Sequence, residues 1–145
     1  MIKAVRHTGV VVRDLEKSTE FYCALGFVED NRAIEEGDFI DTVVGLQNVK
    51  LEWVKLKGPD GYLLELLQYH SHPITKNITN ASSNKLGCSH LAFTVKNIDD
   101  ICKLIRQLGG SIVNFPAVSP DGKVKVAYCH DPEGVIMELV EVIKK

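Results

Sequence analysis

Two histidines and two glutamates occupy matching points of a duplicated sequence. His7-Thr-Gly-Val-Val-Val-Arg-Asp-Leu-Glu aligns with His90-Leu-Ala-Phe-Thr-Val-Lys-Asn-Ile-Asp at a constant offset of 83. The offset holds to Leu25-Gly26 against Leu108-Gly109, and each copy later carries Gly-x-x-x-Glu-Leu, at Gly61 to Leu66 and Gly134 to Leu139. His7, Glu65, His90 and Glu138 are therefore the candidate chemical residues. Two neutral imidazoles and two carboxylates suit a borderline first-row divalent cation and leave coordination positions for substrate oxygens. One such metal per site is expected, with Ni, Co, Zn, Mn and Fe all chemically admissible.

The neighbours of these residues strengthen the reading. Glu65 sits in Leu63-Leu64-Glu65-Leu66-Leu67 and Glu138 in Ile136-Met137-Glu138-Leu139-Val140. Side chains alternate across a strand, so both faces are apolar apart from the carboxylate. A buried, unpaired charge costs several kcal/mol and demands a compensating group. Small residues beside each imidazole, Gly9 near His7 and Ala92 near His90, leave room for a bound group. Each residue alone has an ordinary explanation: a satisfied core histidine, or a glutamate paired with Lys or Arg across a sheet. The joint occurrence at equivalent points of a repeat favours a metal site. His70, His72, His130 and Cys88 are read as lying outside it, and Trp53, Tyr62 and Phe115 as core or pocket wall. No Gly-x-Gly-x-x-Gly or P-loop pattern points to a nucleotide cofactor.

The elements that must position these residues are legible in outline. Val5 to Val12 reads as a strand, and Asp14 as the N-cap of a helix from about Leu15 to Leu25, stopped at Gly26. In the second copy Asn97 or Asp99 caps a helix whose apolar stripe is Ile98, Ile101, Leu104, Ile105 and Leu108, stopped at Gly109-Gly110. Further strands are expected at Val49 to Leu56, Tyr62 to Tyr69, Ser111 to Phe115, Lys123 to Cys129 and Val135 to Val142. Glu65 follows His7 by 58 positions and Glu138 follows His90 by 48. The extra ten fall around Glu35 to Leu46, where Asp38 to Gly45 reads as a short helix or lid. Residues 1–69 thus form a first βαβββ module, 70–86 a linker and 87–145 a second module, together one compact domain.

Size and composition agree. A chain of 145 residues buries roughly 68–70% of its unfolded surface. Its hydrophobic fraction of 45% and charged fraction of 25% are those of a soluble globular protein. A net charge of −2 argues against nucleic acid or an anionic membrane as the main partner. No signal peptide or membrane span is expected, so a cytoplasmic protein with reduced, dispersed cysteines is anticipated. The sequons Asn77-Ile-Thr79 and Asn80-Ala-Ser82 read as loop residues.

The pattern resembles the vicinal oxygen chelate superfamily, which includes the glyoxalases. The carriers are His7-x-Gly-x-x-Val-x-Asp-Leu, Phe21-Tyr22 with Leu25-Gly26-Phe27, His90-x-Ala-Phe-x-Val, and Asp131-Pro-Glu-Gly-x-x-x-Glu138-Leu. The resemblance covers residues 4 to 142 and implies an α+β fold, two tandem βαβββ modules whose open curved mixed sheet surrounds a metal. It implies His7, Glu65, His90 and Glu138 as ligands, with Glu138, then Glu65, as the proton-moving carboxylate. It also implies homodimers, with the site in some members built between subunits. The expected activity is that of a metal-dependent lyase or isomerase, chelating adjacent substrate oxygens and moving a proton through an enediolate. The substrate is a small carbonyl compound, thioester or hemithioacetal.

The ligand set is most similar to that of glyoxalase I, although Val11 and Tyr69 stand where glyoxalase I carries a glutathione-binding Arg and Asn. The opening His-x-Gly-Val is similar to methylmalonyl-CoA epimerase, which carries Gln rather than Glu at position 65 and a Gln-Gly-Val strand where Leu46-Gln47-Asn48-Val49 lies here. An Fe(II) extradiol-type dioxygenase and a drug-binding resistance protein of the same fold are the remaining readings.

Overall fold

The computed structural model describes residues 1–76 and 81–143. Asn77, Ile78, Thr79 and Asn80, and with them the loop reading of both sequons, lie outside the described residues. The chain divides into two compact units, Met1–Lys76 and Asn77–Lys145. The fold is the expected α+β arrangement of βαβββ modules.

In the first unit β1 (Thr8–Val11), α1 (Leu15–Ala24), β2 (Val28–Glu36), α2 (Asp38–Val44), β3 (Lys50–Lys57) and β4 (Leu63–Tyr69) follow in order. They build a four-stranded sheet ordered β1-β4-β3-β2. β1 runs parallel to β4, while β3 is antiparallel to both β4 and β2. The second unit repeats the plan with β5 (Leu91–Thr94), α3 (Ile98–Gln107), β6 (Ser111–Ile112), β7 (Ala117–Val118), β8 (Val124–His130) and β9 (Ile136–Val142). β5 is parallel to β9, β8 is antiparallel to β9, and β6 and β7 both pair with β8.

Each helix covers one face of its own sheet. α1 packs on β3 and β4, burying Leu15, Phe21 and Tyr22 with Val54, Leu56, Leu64 and Leu66. α3 packs on β6, β8 and β9, burying Ile98, Cys102 and Ile105 with Ala127, Cys129, Met137 and Leu139. Fully burying a Leu, Ile, Phe or Met side chain contributes about 1.5–3 kcal/mol, so these two clusters supply the main drive for each unit.

The helix starts show the duplication in atomic detail. Asp14 caps α1 by accepting from Lys17 N at 3.1 Å. Asn97, one repeat later, caps α3 by accepting from Asp100 N at 3.2 Å. Of the two caps expected for α3, Asn97 is the one used. A second device is shared. Gln68 Oε1 accepts from Leu15 N at 2.9 Å, and Glu141 Oε2 accepts from Ile98 N at 2.9 Å. Each acceptor lies three residues past the glutamate of its copy, so the strand carrying the candidate ligand also holds the helix N-terminus.

Several boundaries differ from the sequence expectation. The strands read as Val5 to Val12 and as Ser111 to Phe115 shorten to Thr8–Val11 and Ser111–Ile112. His7 and His90 therefore each precede their strand by one residue. β2 was not anticipated: its Glu29, Asp30, Asn31 and Glu35 give it a polar sequence, tolerated because it is an edge strand bonded only to β3. Its counterpart in the second unit is broken into β6 and β7, with Pro116 between them, where proline offers no N–H to a ladder. The short helix expected near Asp38 to Gly45 is α2. No described helix is long and apolar enough to cross a membrane.

Candidate functional site

Strand alternation explains which face the glutamates occupy. Leu64 and Leu66 are fully buried on the helix side of β4, so Glu65 between them projects from the opposite face. Met137 and Leu139 do the same for Glu138 in β9. In both units the candidate carboxylate stands on the face its own helix leaves uncovered.

The adjacent parallel strand delivers the histidine. β1 pairs with β4 so that Gly9 lies opposite Glu65, and His7 Nε2 reaches Glu65 Oε2 at 3.0 Å. β5 pairs with β9 so that Ala92 lies opposite Glu138, and His90 Nε2 reaches Glu138 Oε2 at 3.2 Å. The small residues near the histidines thus lie opposite the carboxylates in the ladders. A Cβ on Gly9 would press on Leu67 Cδ1 at 3.2 Å and make ordinary contact with Glu65 Oε2 at 3.9 Å.

Each unit therefore brings its own histidine and glutamate together. Among the described residues no three His, Cys, Asp or Glu side chains are grouped as metal ligands, and each pair is a two-donor set. The donors fit a divalent cation chemically. They are imidazole nitrogens and carboxylate oxygens, and among the described residues the buried Nδ1 of His7 has no hydrogen-bond partner. Glu65 is 12% exposed, so its charge needs compensation.

The surroundings of the two pairs differ. In the first unit Lys55 lies opposite Glu65 in the β3–β4 ladder, with Nζ 3.5 Å from Oε1. The same ammonium lies 4.2 Å from the ring centroid of Trp53, whose indole N–H donates to Glu35 at 2.8 Å. α2 covers one end of this face: Ile40, Val49 and Leu51 form a buried cluster flanked by Val44, Trp53, Leu67 and Tyr69. In the second unit Tyr128 lies opposite Glu138. Its ring centroid is 5.0 Å from that of His90, and its hydroxyl is 3.4 Å from His90 Nδ1. Ser89 Oγ approaches the same nitrogen at 3.1 Å, which leaves Nε2 to face Glu138.

Lys55 is the cross-sheet cation that the ordinary explanation of Glu65 allowed, but neither it nor Tyr128 was singled out in the sequence. The signal was available in the hairpin register: a turn centred near Asp60 places Lys55 across from Glu65, and one near Glu133 places Tyr128 across from Glu138.

The remaining tempting side chains have other contacts. His70 Nε2 lies 2.9 Å from Glu52, His72 Nδ1 lies 2.8 Å from Ser71 Oγ, and His130 Nε2 lies 3.0 Å from the carbonyl oxygen of Ala81. Cys88 is exposed. Burial pushes the Cys102 thiol up and the Cys129 thiol up to about 12, so neither is a nucleophile at neutral pH.

Known proteins resemble this chain over nearly its whole length. The family model described as the Glyoxalase/Bleomycin resistance protein/Dioxygenase superfamily matches residues 4–139. A probable lactoylglutathione lyase of Synechocystis is 29% identical over 145 residues, covering 96% of this chain and 95% of the relative. A lactoylglutathione lyase of Schizosaccharomyces pombe is 31% identical over 148 residues, covering 94% of this chain and 46% of that longer protein. The crystal structure of a glyoxalase family protein from Bacillus cereus superposes with a TM-score of 0.91 at 25% identity, covering 99% of this chain and 97% of the other.

Proposed function

This chain belongs to the glyoxalase/bleomycin resistance protein/dioxygenase superfamily, and on that premise we propose that it is a divalent-metal-dependent, glyoxalase I-like lyase or isomerase. The observation that carries the reading is the repeated pair on the sheet face opposite α1 or α3, His7 with Glu65 and His90 with Glu138. Lactoylglutathione lyases among its relatives support the same class of reaction.

His7 and Glu65 in the first unit, and His90 and Glu138 in the second, are the residues that would hold a cation. When bound, the cation supplies Lewis acidity toward adjacent substrate oxygens. The protein's own contribution is positional and acid–base. Glu138 takes the proton from one carbon and returns it to its neighbour. It suits this role because it is 25% exposed, against 12% for Glu65, and has no lysine opposite it. Tyr128 and Ser89 hold the His90 ring through Nδ1. Leu67, Trp53 and the α2 residues Ile40 and Val44 give the first unit's face an apolar wall that limits water beside Glu65.

A second reading is proton transfer at the α-carbon of an acyl thioester. It is favoured by Val11 and by Tyr69, which packs with the Ile40 cluster, at positions where glyoxalase I binds glutathione. In both readings the protein acts on a small molecule, and a cytoplasmic location is part of the proposal.

Elemental analysis of the purified protein, followed by solvent deuterium incorporation into the methylglyoxal–glutathione hemithioacetal, α-hydroxyketones and acyl-CoA thioesters, tests the proposal. Bound divalent metal and exchange into one of these classes are expected, with exchange lost on chelation and restored by metal. Exchange that survives complete metal removal would overturn the metal-dependent reading.

A further inference from the structure

We propose that Lys55 is an anion-recognising residue of the candidate site and that the substrate carries a carboxylate beside its chelating oxygens. This rests on the reading of His7 and Glu65 as half of a metal site and narrows its substrate class.

The two units are built alike, yet the residue opposite the glutamate is Lys55 in one and Tyr128 in the other. The hairpin itself thus does not require a cation at this position. Lys55 is also held unusually well for a lysine. Its ammonium lies between Glu65 Oε1, at 3.5 Å, and the Trp53 ring, at 4.2 Å from the centroid. The ring is fixed in turn by its hydrogen bond to Glu35. The Lys55 side chain is only 24% exposed. Lysine normally keeps its head in water, so anchoring it here forfeits both hydration and rotamer freedom.

Glu65 compensates that charge in the structure as it stands, while also contacting His7. Once Glu65 shares its charge with a divalent cation, Lys55 becomes a second positive group beside the first. Two positive groups on one partly dehydrated face repel each other unless an anion bridges them. A substrate carboxylate next to a hydroxyl or carbonyl oxygen satisfies this geometry: one oxygen set serves the cation, and the negative charge serves Lys55. A neutral α-hydroxyketone leaves the ammonium unmatched.

Trp53 is the only tryptophan in the chain, so ligand arrival at Lys55 can be read by intrinsic fluorescence. Purified protein with its native metal is titrated with pyruvate and with hydroxyacetone, which has a similar carbon skeleton but no charge. Wild type should bind pyruvate at least tenfold more tightly, and added salt should weaken pyruvate binding but not hydroxyacetone binding. Lys55→Met should erase the preference, and Lys55→Arg should retain most of it. Lys55→Gln, polar but uncharged, should also erase the preference and serves if Lys55→Met folds poorly. Equal affinity for the two probes, no pyruvate response in wild type, or wild-type pyruvate affinity in a folded Lys55→Met protein would each overturn the proposal. Metal content and deuterium exchange measured on the same preparation test the isomerase reading separately. If exchange fails and the pyruvate preference stands, Lys55 keeps its role and the proposed reaction does not.

Discussion

His90 Nε2 stands 3.2 Å from Oε2 of Glu138, a contact set by the parallel register of β5 against β9. The two side chains have separable tasks in the proposed reaction. His90→Ala should strip metal from the purified protein and abolish turnover, measured by elemental analysis and deuterium exchange. Glu138→Gln should preserve more of the metal while lowering exchange by about 10²–10⁴-fold, the usual worth of a positioned acid–base group. Normal turnover by the Gln variant would remove Glu138 from that role.

Gln68 connects the candidate site to α1. Its side-chain oxygen accepts from Leu15 N at the start of the helix, in addition to the Asp14 cap. Gln68→Ala should cost about 1 kcal/mol, as lost helix caps do, and lower the urea midpoint without changing metal content. An unchanged midpoint would show that water replaces the amide without loss.

Gly110 is required by packing where α3 ends. A Cβ there would lie 2.5 Å from the carbonyl oxygen of His130 and 2.7 Å from Ile105 Cγ2. Backbone cannot move aside as a flexible side chain can, so Gly110→Ala should destabilise by about 1–3 kcal/mol or more. Calorimetry should show a lower Tm. A Tm equal to that of wild type would mean that α3 can shift away from β8.

Cys129 should impose a pH dependence on stability in alkali. Its thiol ordinarily ionises near 9.0 and burial pushes it up to about 12. Below pH 9 the thiol is neutral in the folded and unfolded chains alike, and the stabilisation is fully present. Between about 9 and 12 the unfolded chain gains a thiolate that the folded chain cannot accommodate, so stability falls as pH rises. Urea unfolding at pH 8 and pH 10, in wild type and Cys129→Ala, should show a steeper loss in wild type. The same thiol should resist alkylating reagents at pH 8, while exposed Cys88 reacts.

Much of this was legible in the chain. The repeat located both histidines and both glutamates, because strand alternation with leucine on either side makes a lone carboxylate conspicuous. The caps at Asp14 and Asn97 were equally visible, since a short polar side chain before an apolar stripe has one common purpose. β2 was not visible: an edge strand tolerates polar residues on both faces, and Glu29, Asp30 and Asn31 mask its period. The break between β6 and β7 was missed because proline at 116 interrupts a strand without ending the local pairing to β8.

Sequence alone determined which residue types recur, at what spacing and on which face of a strand, because backbone geometry forces alternation and duplication forces equivalence. Tertiary structure decided who stands beside them. Register alone places Lys55 against Glu65 and Tyr128 against Glu138, and cross-strand neighbours are distant in the chain. The two copies thereby acquire different electrostatics around their glutamates, because the residue facing each glutamate belongs to another strand.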